Sequence, residues 1–460
     1  MSADAAVRAV GLDLGSTRFK AGLLDARGRL LDVLSVPAPS LTGDGDRCEG
    51  DATAYASAAT ELLRRAASGR AAGTPLCITS QRSSFVLWDR RTNEPSTPLI
   101  SWQDRRAADW CERHRKLETE VFERSGLVLS AHYAGPKLAA MQEHDCSLAG
   151  RLRSERTLFG NLETYLIWHW SAGRLHETDA TMAARTSMLD LRTRDWSPEL
   201  LEIFGVPRSV LPRVRPTSGV SLPLECGLTL RATVADQAAG ALTVLAENTD
   251  AALINLGTGG FVLRPCSCAE RRRGYLTGLI HAGDDARCAL EGTINGAGIA
   301  VDRFGDGPTS LPVDDPSPGA FCLPDAAGLG SPFWRPDVGW TLSPDAERLS
   351  IADARRVACE GLVFRIRQVL EGLAGITPRH LFLSGGLARE PFIARALASL
   401  LEERIDVLDL REAGLTGAGR LALGIAPFAA PSTTPVEPTD RGSYLATKYP
   451  RWSRWMKSLL

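Results

Sequence analysis

One pattern constrains this chain more than any other: an apolar strand that ends on a short glycine turn, and it occurs three times. The first copy is VGLDLGSTRFKAGLLD, Val10 to Asp25. Alternating Val10, Leu12 and Leu14 lead into Gly15-Ser16-Thr17, and Phe19, Gly22 and Leu24 lead out, which predicts a tight hairpin. The second copy is AALINLGTGGFVLRP, Ala251 to Pro265, again strand, glycine turn, strand. In the third, HLFLSGGLAREPFIARALASLL, the turn Ser384-Gly385-Gly386 leads instead into helical spacing through Phe392, Ala396 and Leu400. Two hairpins in the two halves, with a strand–turn–helix near the end, predict a duplicated α/β architecture with a cleft between the copies.

A hairpin turn made of small and hydroxylic residues can cradle phosphate. Its backbone N–H groups face phosphoryl oxygens, Lys20 adds a positive charge, and Asp13 can reach a metal ion. Read locally, the same residues also suit an ordinary hairpin whose buried aspartate bonds its own turn.

The 460 residues, 44% hydrophobic and 23% charged, are enough for two domains with sizeable cores. Lys and Arg number 53 against 54 Asp and Glu, a net charge of -1. That balance points away from nucleic acid and anionic membranes and toward small-molecule partners. The ten cysteines are scattered, and the one close pair, Cys266 and Cys268, has no matching pair or histidine cluster nearby. They are expected to be reduced, mostly buried thiols of a cytoplasmic protein, since no leader pattern and no membrane-length apolar run is visible.

Helices are expected over Ala52–Ala67, Leu162–Trp170 and Ile351–Ala374, with loops at TNEPSTP and PVDDPSPG. The Pro/Thr-rich APFAAPSTTPVEPTD is expected to be an exposed linker before a closing helix in YLATKYPRWSRWMKSLL. That helix is basic and aromatic; it is expected to pack on the protein, with membrane-surface contact as the alternative.

The hairpins and the Gly-Gly turn resemble the phosphate-1, phosphate-2 and adenosine elements of actin-like ATPases. Within that group the chain resembles the FGGY carbohydrate kinases, through SQRSSFVLWDRRTNEP, SWQDRR, SGLVLSAHYAGPKL, FGNLETYLIWHWSAG, ADQAAGAL, NLGTGGFVL, ALEGTINGAGIAVDRF and GLGSPFW in that order. The resemblance implies an α/β fold of two actin-like (ribonuclease H-like) domains with a cleft between them. Residues 1–242 would hold a sugar or polyol and carry the phosphate-1 hairpin. Residues 243–430 would bind the nucleotide, and 431–460 would form the linker and C-terminal helix. The cofactors implied are ATP and Mg²⁺, and a homodimer is left open.

Carried over position by position, the resemblance implies that Asp236 is the catalytic base and that Arg82, Ser83, Trp102, His132, Asp236, Gln237 and Phe261 line the acceptor pocket. Gly15, Ser16, Thr17 and Lys20, then Gly257, Thr258 and Gly259, then Gly298, Gly385, Gly386 and Glu390 would meet the nucleotide. Asp13 and Asp236 would stand near the metal. Local sequence alone also allows Asp236 to be a helix cap. Several positions depart from the family pattern. Ala235 stands where a glycine usually precedes the base, Lys20 replaces an arginine, and Glu390 replaces Ser or Asn. Ser83 and His132 replace a Glu and a Tyr of glycerol kinases, so an acceptor of four to six carbons is expected alongside a glycerol-like one. A non-catalytic nucleotide-dependent sensor, or a degraded kinase that binds without turnover, is the rival reading.

Overall fold

The structure, a computed structural model, describes residues 6–305, 310–373, 378–410, 412–425, 431–438 and 443–460. In chain order, the first half contributes β1 (Ala9–Leu14), β2 (Arg18–Leu24), β3 (Leu30–Pro37), α1 (Ala52–Ala67), β4 (Thr74–Ser80), β5 (Ser218–Pro223), β6 (Leu228–Ala235) and α2 (Asp236–Leu245). The second half contributes β7 (Ala251–Leu256), β8 (Gly260–Cys266), β9 (Leu276–His281), β10 (Arg287–Ile294), α3 (Ala297–Asp302), α4 (Ile351–Leu373) and β11 (His380–Ser384). It closes with α5 (Pro391–Leu401), β12 (Ile405–Leu408), α6 (Ala413–Leu423), β13 (Thr433–Val436) and α7 (Tyr444–Lys457).

The duplication is visible in the strand order. The first sheet runs β5-β6-β4-β1-β2-β3 and the second β9-β10-β8-β7-β11-β12-β13. In each, three antiparallel strands (β1, β2, β3; β7, β8, β10) continue through the first of them into two parallel strands (β4, β6; β11, β12). Each parallel edge is then closed by one antiparallel strand, β5 or β13. The expected α/β duplication is therefore observed, and both hairpins form where the apolar alternation places them.

Two helices exchange between the sheets. α2 leaves the first sheet and packs against β7 and β9 of the second, whereas α6 leaves the second and packs across β1 and β4 of the first. They meet at Gly417, where a Cβ would lie 2.0 Å from the Ala239 carbonyl oxygen, a separation only glycine permits. The N-termini of both helices therefore come to the same place, beside the turn of the first hairpin.

A five-stranded sheet inserted in the first half, with Phe85–Asp89 and Leu99–Ile100 among its strands, anchors the loops carrying residues 82–84 and 101–104. The helices expected at Ala52–Ala67 and Leu162–Trp170 form over those residues, and α4 covers Ile351–Leu373; Ala374 lies outside the described residues. α1 starts where Asp51 Oδ1 accepts from the N–H groups of Thr53 and Ala54, satisfying two otherwise unpaired donors.

Two expectations are corrected. Part of the supposed linker is sheet: β13 pairs antiparallel with β12, while residues 426–430 and 439–440 of that stretch lie outside the described residues. The cysteines are not all reduced. Cys268 and Cys288 form a disulfide with Cα atoms 5.2 Å apart, because β8 and β10 are neighbours and bring together positions 20 residues apart in sequence. Cys266 is a free thiol.

α7 packs into the second half, with Trp452 and Met456 fully buried. The wholly buried Lys448 is its polar anchor, with Nζ 2.7 Å from Glu360 Oε2 and 3.1 Å from Asp315 Oδ1. Among the described residues no helix is long and apolar enough to cross a membrane.

Candidate functional site

The site grows from the end of β6. Ala235 is paired with Ser80 at the end of the parallel neighbour β4, so Asp236 on one strand exit faces Gln81 and Arg82 on the other. The exit is fixed by a buried relay. The Ala235 N–H donates to Thr181 Oγ1 (2.8 Å), Thr181 donates to Asp179 Oδ1 (2.6 Å), and Thr217 donates to Asp179 Oδ2 (2.9 Å). Ala235 itself has φ -65° and ψ 144°, ordinary extended backbone. The turn thus makes no demand for glycine, which removes the concern raised by alanine at this position.

Asp236 opens α2 with its carboxylate 37% exposed to the cleft, and the Gln237 N–H donates to its Oδ1. Burial of its surroundings raises its pKa, and Arg82 opposes that rise with Nε 3.5 Å from Asp236 Oδ1. Arg82 also lies over the Phe261 ring, 5.9 Å from its centroid, and donates through Nη1 to Glu291 Oε2 at 3.0 Å. Arg185 reaches the same carboxylate from the other side at 3.4 Å. Burial alone would raise the Glu291 pKa, but the two guanidiniums hold it below the usual carboxylate range.

From Arg185 the contacts continue through aromatic rings. Its guanidinium stands 5.7 Å from the Tyr133 ring, Tyr133 and His132 are 5.0 Å apart, and His132 and Trp102 are 5.6 Å apart. Burial, with Lys137, Arg185 and Arg82 nearby, pushes the His132 pKa well below its ordinary value. His132 is therefore neutral at physiological pH, with one ring nitrogen free to donate and the other to accept. The structure thus brings Arg82, Trp102, His132, Asp236, Gln237 and Phe261 together.

Ser83 behaves differently. It is fully buried with φ 65°, and its hydroxyl donates to the Arg185 carbonyl at 3.1 Å rather than facing the cleft. Its contribution is to tie the residue 82 loop to the residue 185 turn.

At the first hairpin, Asp13 is the register partner of Lys20 across the ladder. Burial pushes Asp13 up to about 7, and the Asp236 charge adds to the rise. Lys20 Nζ is held by both oxygens of Glu412, at 2.8 and 2.9 Å, and Glu412 is the residue before α6. Gly15, Ser16 and Thr17 form the turn, with the Thr17 carbonyl accepting from the Ala38 N–H.

At the second hairpin, the Gly257 N–H donates to the Gly259 carbonyl and the Gly298 N–H to the Thr258 carbonyl. A Cβ at Gly298 would lie 2.5 Å from the Gly257 carbonyl oxygen, so the start of α3 is seated directly on this turn. Gly385, at φ 96°, lets the turn after β11 pass the Leu256 carbonyl, and Gly386 begins the following 3₁₀ turn. Glu390 precedes α5 and is engaged by Arg355 Nη2 at 3.1 Å.

Sequence reasoning missed Glu291, Arg185, Tyr133 and Glu412. Signals existed for two of them: Glu291 is the lone charge in the apolar run CALEGTI, and Arg185 is the lone charge in TMAARTSML.

Asp13 and Asp236, near enough that the charge of one raises the pKa of the other, supply hard oxygen donors of the kind that suits Mg²⁺. Among the described residues no cluster of three or more His, Cys, Asp or Glu could hold a metal unaided. Two carboxylates completed by water and phosphate oxygens fit the usual coordination of that ion.

The family profiles decide the assignment. The profile of the "FGGY family of carbohydrate kinases, N-terminal domain" matches residues 8–228, and that of the C-terminal domain matches residues 252–424. The chain belongs to the FGGY family of carbohydrate kinases. Among FGGY relatives, the glycerol kinase of Thermus brockianus is 34% identical over 405 residues, covering 80% of this chain and 81% of that protein. That of Methylobacterium nodulans is 32% identical over 386 residues, covering 78% and 77%. Among solved FGGY structures, a ligand-bound xylulose kinase from Lactobacillus acidophilus has a TM-score of 0.86 at 20% identity, over 98% of both chains. Plasmodium falciparum glycerol kinase with ADP has a TM-score of 0.84 at 19% identity, also over 98% of both. This FGGY chain is accordingly a carbohydrate or polyol kinase on the two-domain actin-like fold.

Proposed function

We propose that the chain uses ATP to phosphorylate a terminal hydroxyl of a polyol or ketose of four to six carbons, with Asp236 as the proton acceptor. Residues 1–242 hold the acceptor and residues 243–430 the nucleotide. The observation that carries this reading is the placement of Asp236. It opens a helix at the cleft, follows Ala235, whose N–H the Thr181–Asp179 relay holds, and begins a run of contacts through Arg82 to Phe261, Glu291 and the aromatic wall.

Phosphoryl transfer requires alignment, charge neutralisation and removal of one proton. The Trp102 and Phe261 rings offer faces for acceptor C–H groups, while Arg82, Gln237 and neutral His132 bond its hydroxyls. Asp236 receives the proton of the attacking hydroxyl. The N–H groups of the two glycine hairpin turns other than that of Gly257 cradle phosphate oxygens, and Lys20 transfers from Glu412 to a phosphate. Asp13 and Asp236 would hold a magnesium ion, which would supply charge neutralisation at the transferring phosphoryl group.

The two relatives described above are named for glycerol, and the two structural neighbours for xylulose and glycerol, names that support a small polyol or ketose as acceptor. The longer acceptor is supported by the loop beside Arg82. Ser83 turns its hydroxyl inward, so that loop presents no carboxylate to a compact triol. A sensor has no use for such an acceptor floor; a degraded kinase would keep it, and turnover separates that reading.

The test is ADP release from ATP and Mg²⁺ with glycerol, erythritol, xylulose and ribulose. A higher kcat/KM for a longer compound than for glycerol is expected. Glycerol outperforming all of them would overturn the preference for a longer acceptor, and no turnover with any of them would overturn the proposed acceptor class.

A further inference from the structure

A small cavity lies under the cleft floor, where the two sheets face each other. Its room for an occupant is about 20 Å³, enough for one water or one hydroxyl group. Arg82, Arg185, Gln237 and Glu291 bring polar groups to it, against an apolar wall that includes Leu263 and Ile280.

Two polar atoms of these lining residues are buried and have no protein partner: Arg185 Nε, a donor, and Gln237 Oε1, an acceptor. Arg185 is 5% exposed, and the rest of its guanidinium is committed, with Nη1 and Nη2 3.5 and 3.4 Å from Glu291. Buried polar groups in folded proteins are almost always paired, so an unpaired donor and an unpaired acceptor on one cavity call for an occupant. A hydroxyl, of water or of a ligand, both donates and accepts, the chemistry that one unpaired donor and one unpaired acceptor call for.

We infer that this cavity is a subsite for an acceptor hydroxyl remote from the one being phosphorylated, read by Arg185 Nε and Gln237 Oε1, with Glu291 as the positioning residue that fixes Arg185. The inference rests on the proposed kinase function and deepens it: the subsite selects polyols and ketoses that extend beyond three carbons. In the absence of an acceptor, one water fills the same place. Because Arg82 and Arg185 share Glu291, the subsite is registered against the group that also contacts Asp236.

The test is equilibrium binding by calorimetry of glycerol, erythritol and ribulose to the full chain and to Arg185→Lys, which keeps a positive charge toward Glu291 but lacks Nε. The wild type is expected to bind a longer compound more tightly than glycerol, and the ratio of the two affinities to fall about tenfold in the variant. Gln237→Leu removes the acceptor and is expected to lower the same ratio if Arg185→Lys fails to fold. An unchanged ratio in both variants, or no wild-type preference for the longer compounds, overturns the subsite and leaves water as the sole occupant. Binding is read without turnover. A preference for longer compounds that Arg185→Lys abolishes, in a protein that transfers no phosphate, would sink the kinase reading and leave the subsite standing.

Discussion

Arg82 joins the two halves of the molecule by donating to Glu291, its Nη1 3.0 Å from an oxygen on the opposite sheet, while its Nε stays within 3.5 Å of Asp236. Removing Glu291 strands the charges of both Arg82 and Arg185, whereas removing Arg82 as well leaves only Arg185 stranded. Arg82→Met and Glu291→Leu are each expected to destabilise by on the order of 3 kcal/mol, and the double variant by clearly less than their sum. Thermal unfolding of the four proteins checks this; additive losses would show that the pair is not coupled.

Glu163 gives stability a pH dependence of defined sign. It is fully buried with one oxygen unpartnered, and burial pushes its pKa up to about 7 from an ordinary 4.5. The folded state therefore holds the proton more tightly than the unfolded chain, a contribution present at low pH and lost as pH rises through about 7. Glu163→Gln mimics the protonated form. It is expected to raise the unfolding temperature at pH 8, by about 1–3 kcal/mol of stability, and to match the wild type near pH 4. Equal effects at both pH values would contradict the assignment.

The C-terminal helix is held by charge as well as by rings. Lys448→Met removes the buried cation shared by Glu360 and Asp315, leaving them with Arg356, Tyr444 and Arg451, and is expected to cost about 3 kcal/mol. Arg115→Ala breaks the pair with Glu112, in which both side chains are mostly exposed, and is expected to cost less than about 1 kcal/mol. Comparable unfolding shifts for the two would show that burial does not set the difference.

Gly298→Ala places a methyl group 2.5 Å from the Gly257 carbonyl and must displace the second glycine turn. A several-fold rise in the KM for ATP is expected, with acceptor binding by calorimetry unchanged. Loss of acceptor binding with unaltered nucleotide affinity would separate this turn from the phosphate site.

Much of the fold was legible because its signals are local. The alternation into Gly15-Ser16-Thr17 and Gly257-Thr258-Gly259 needs only neighbouring residues, and those hairpins set the sheet order. The floor of the site was not legible, because it is built from pairs distant in sequence. Arg82 and Glu291 are 209 residues apart, and Lys20 and Glu412 are 392 apart. No periodicity reports such a contact. Ser83 shows the converse limit: its position beside Arg82 placed it in the pocket, whereas its φ of 65° turns the side chain inward. β13 was hidden because Pro435 and its threonines read as a loop, yet an edge strand tolerates proline.

The central claim is that Asp236 accepts the proton of the attacking hydroxyl, and Asp236→Asn tests it most directly, since the amide keeps the shape and loses the base. With ATP, Mg²⁺ and the preferred acceptor, kcat is expected to fall about 10²–10⁴-fold while calorimetric affinity for the nucleotide stays within a few-fold of wild type. Turnover near the wild-type rate would remove Asp236 from the chemistry and contradict the account.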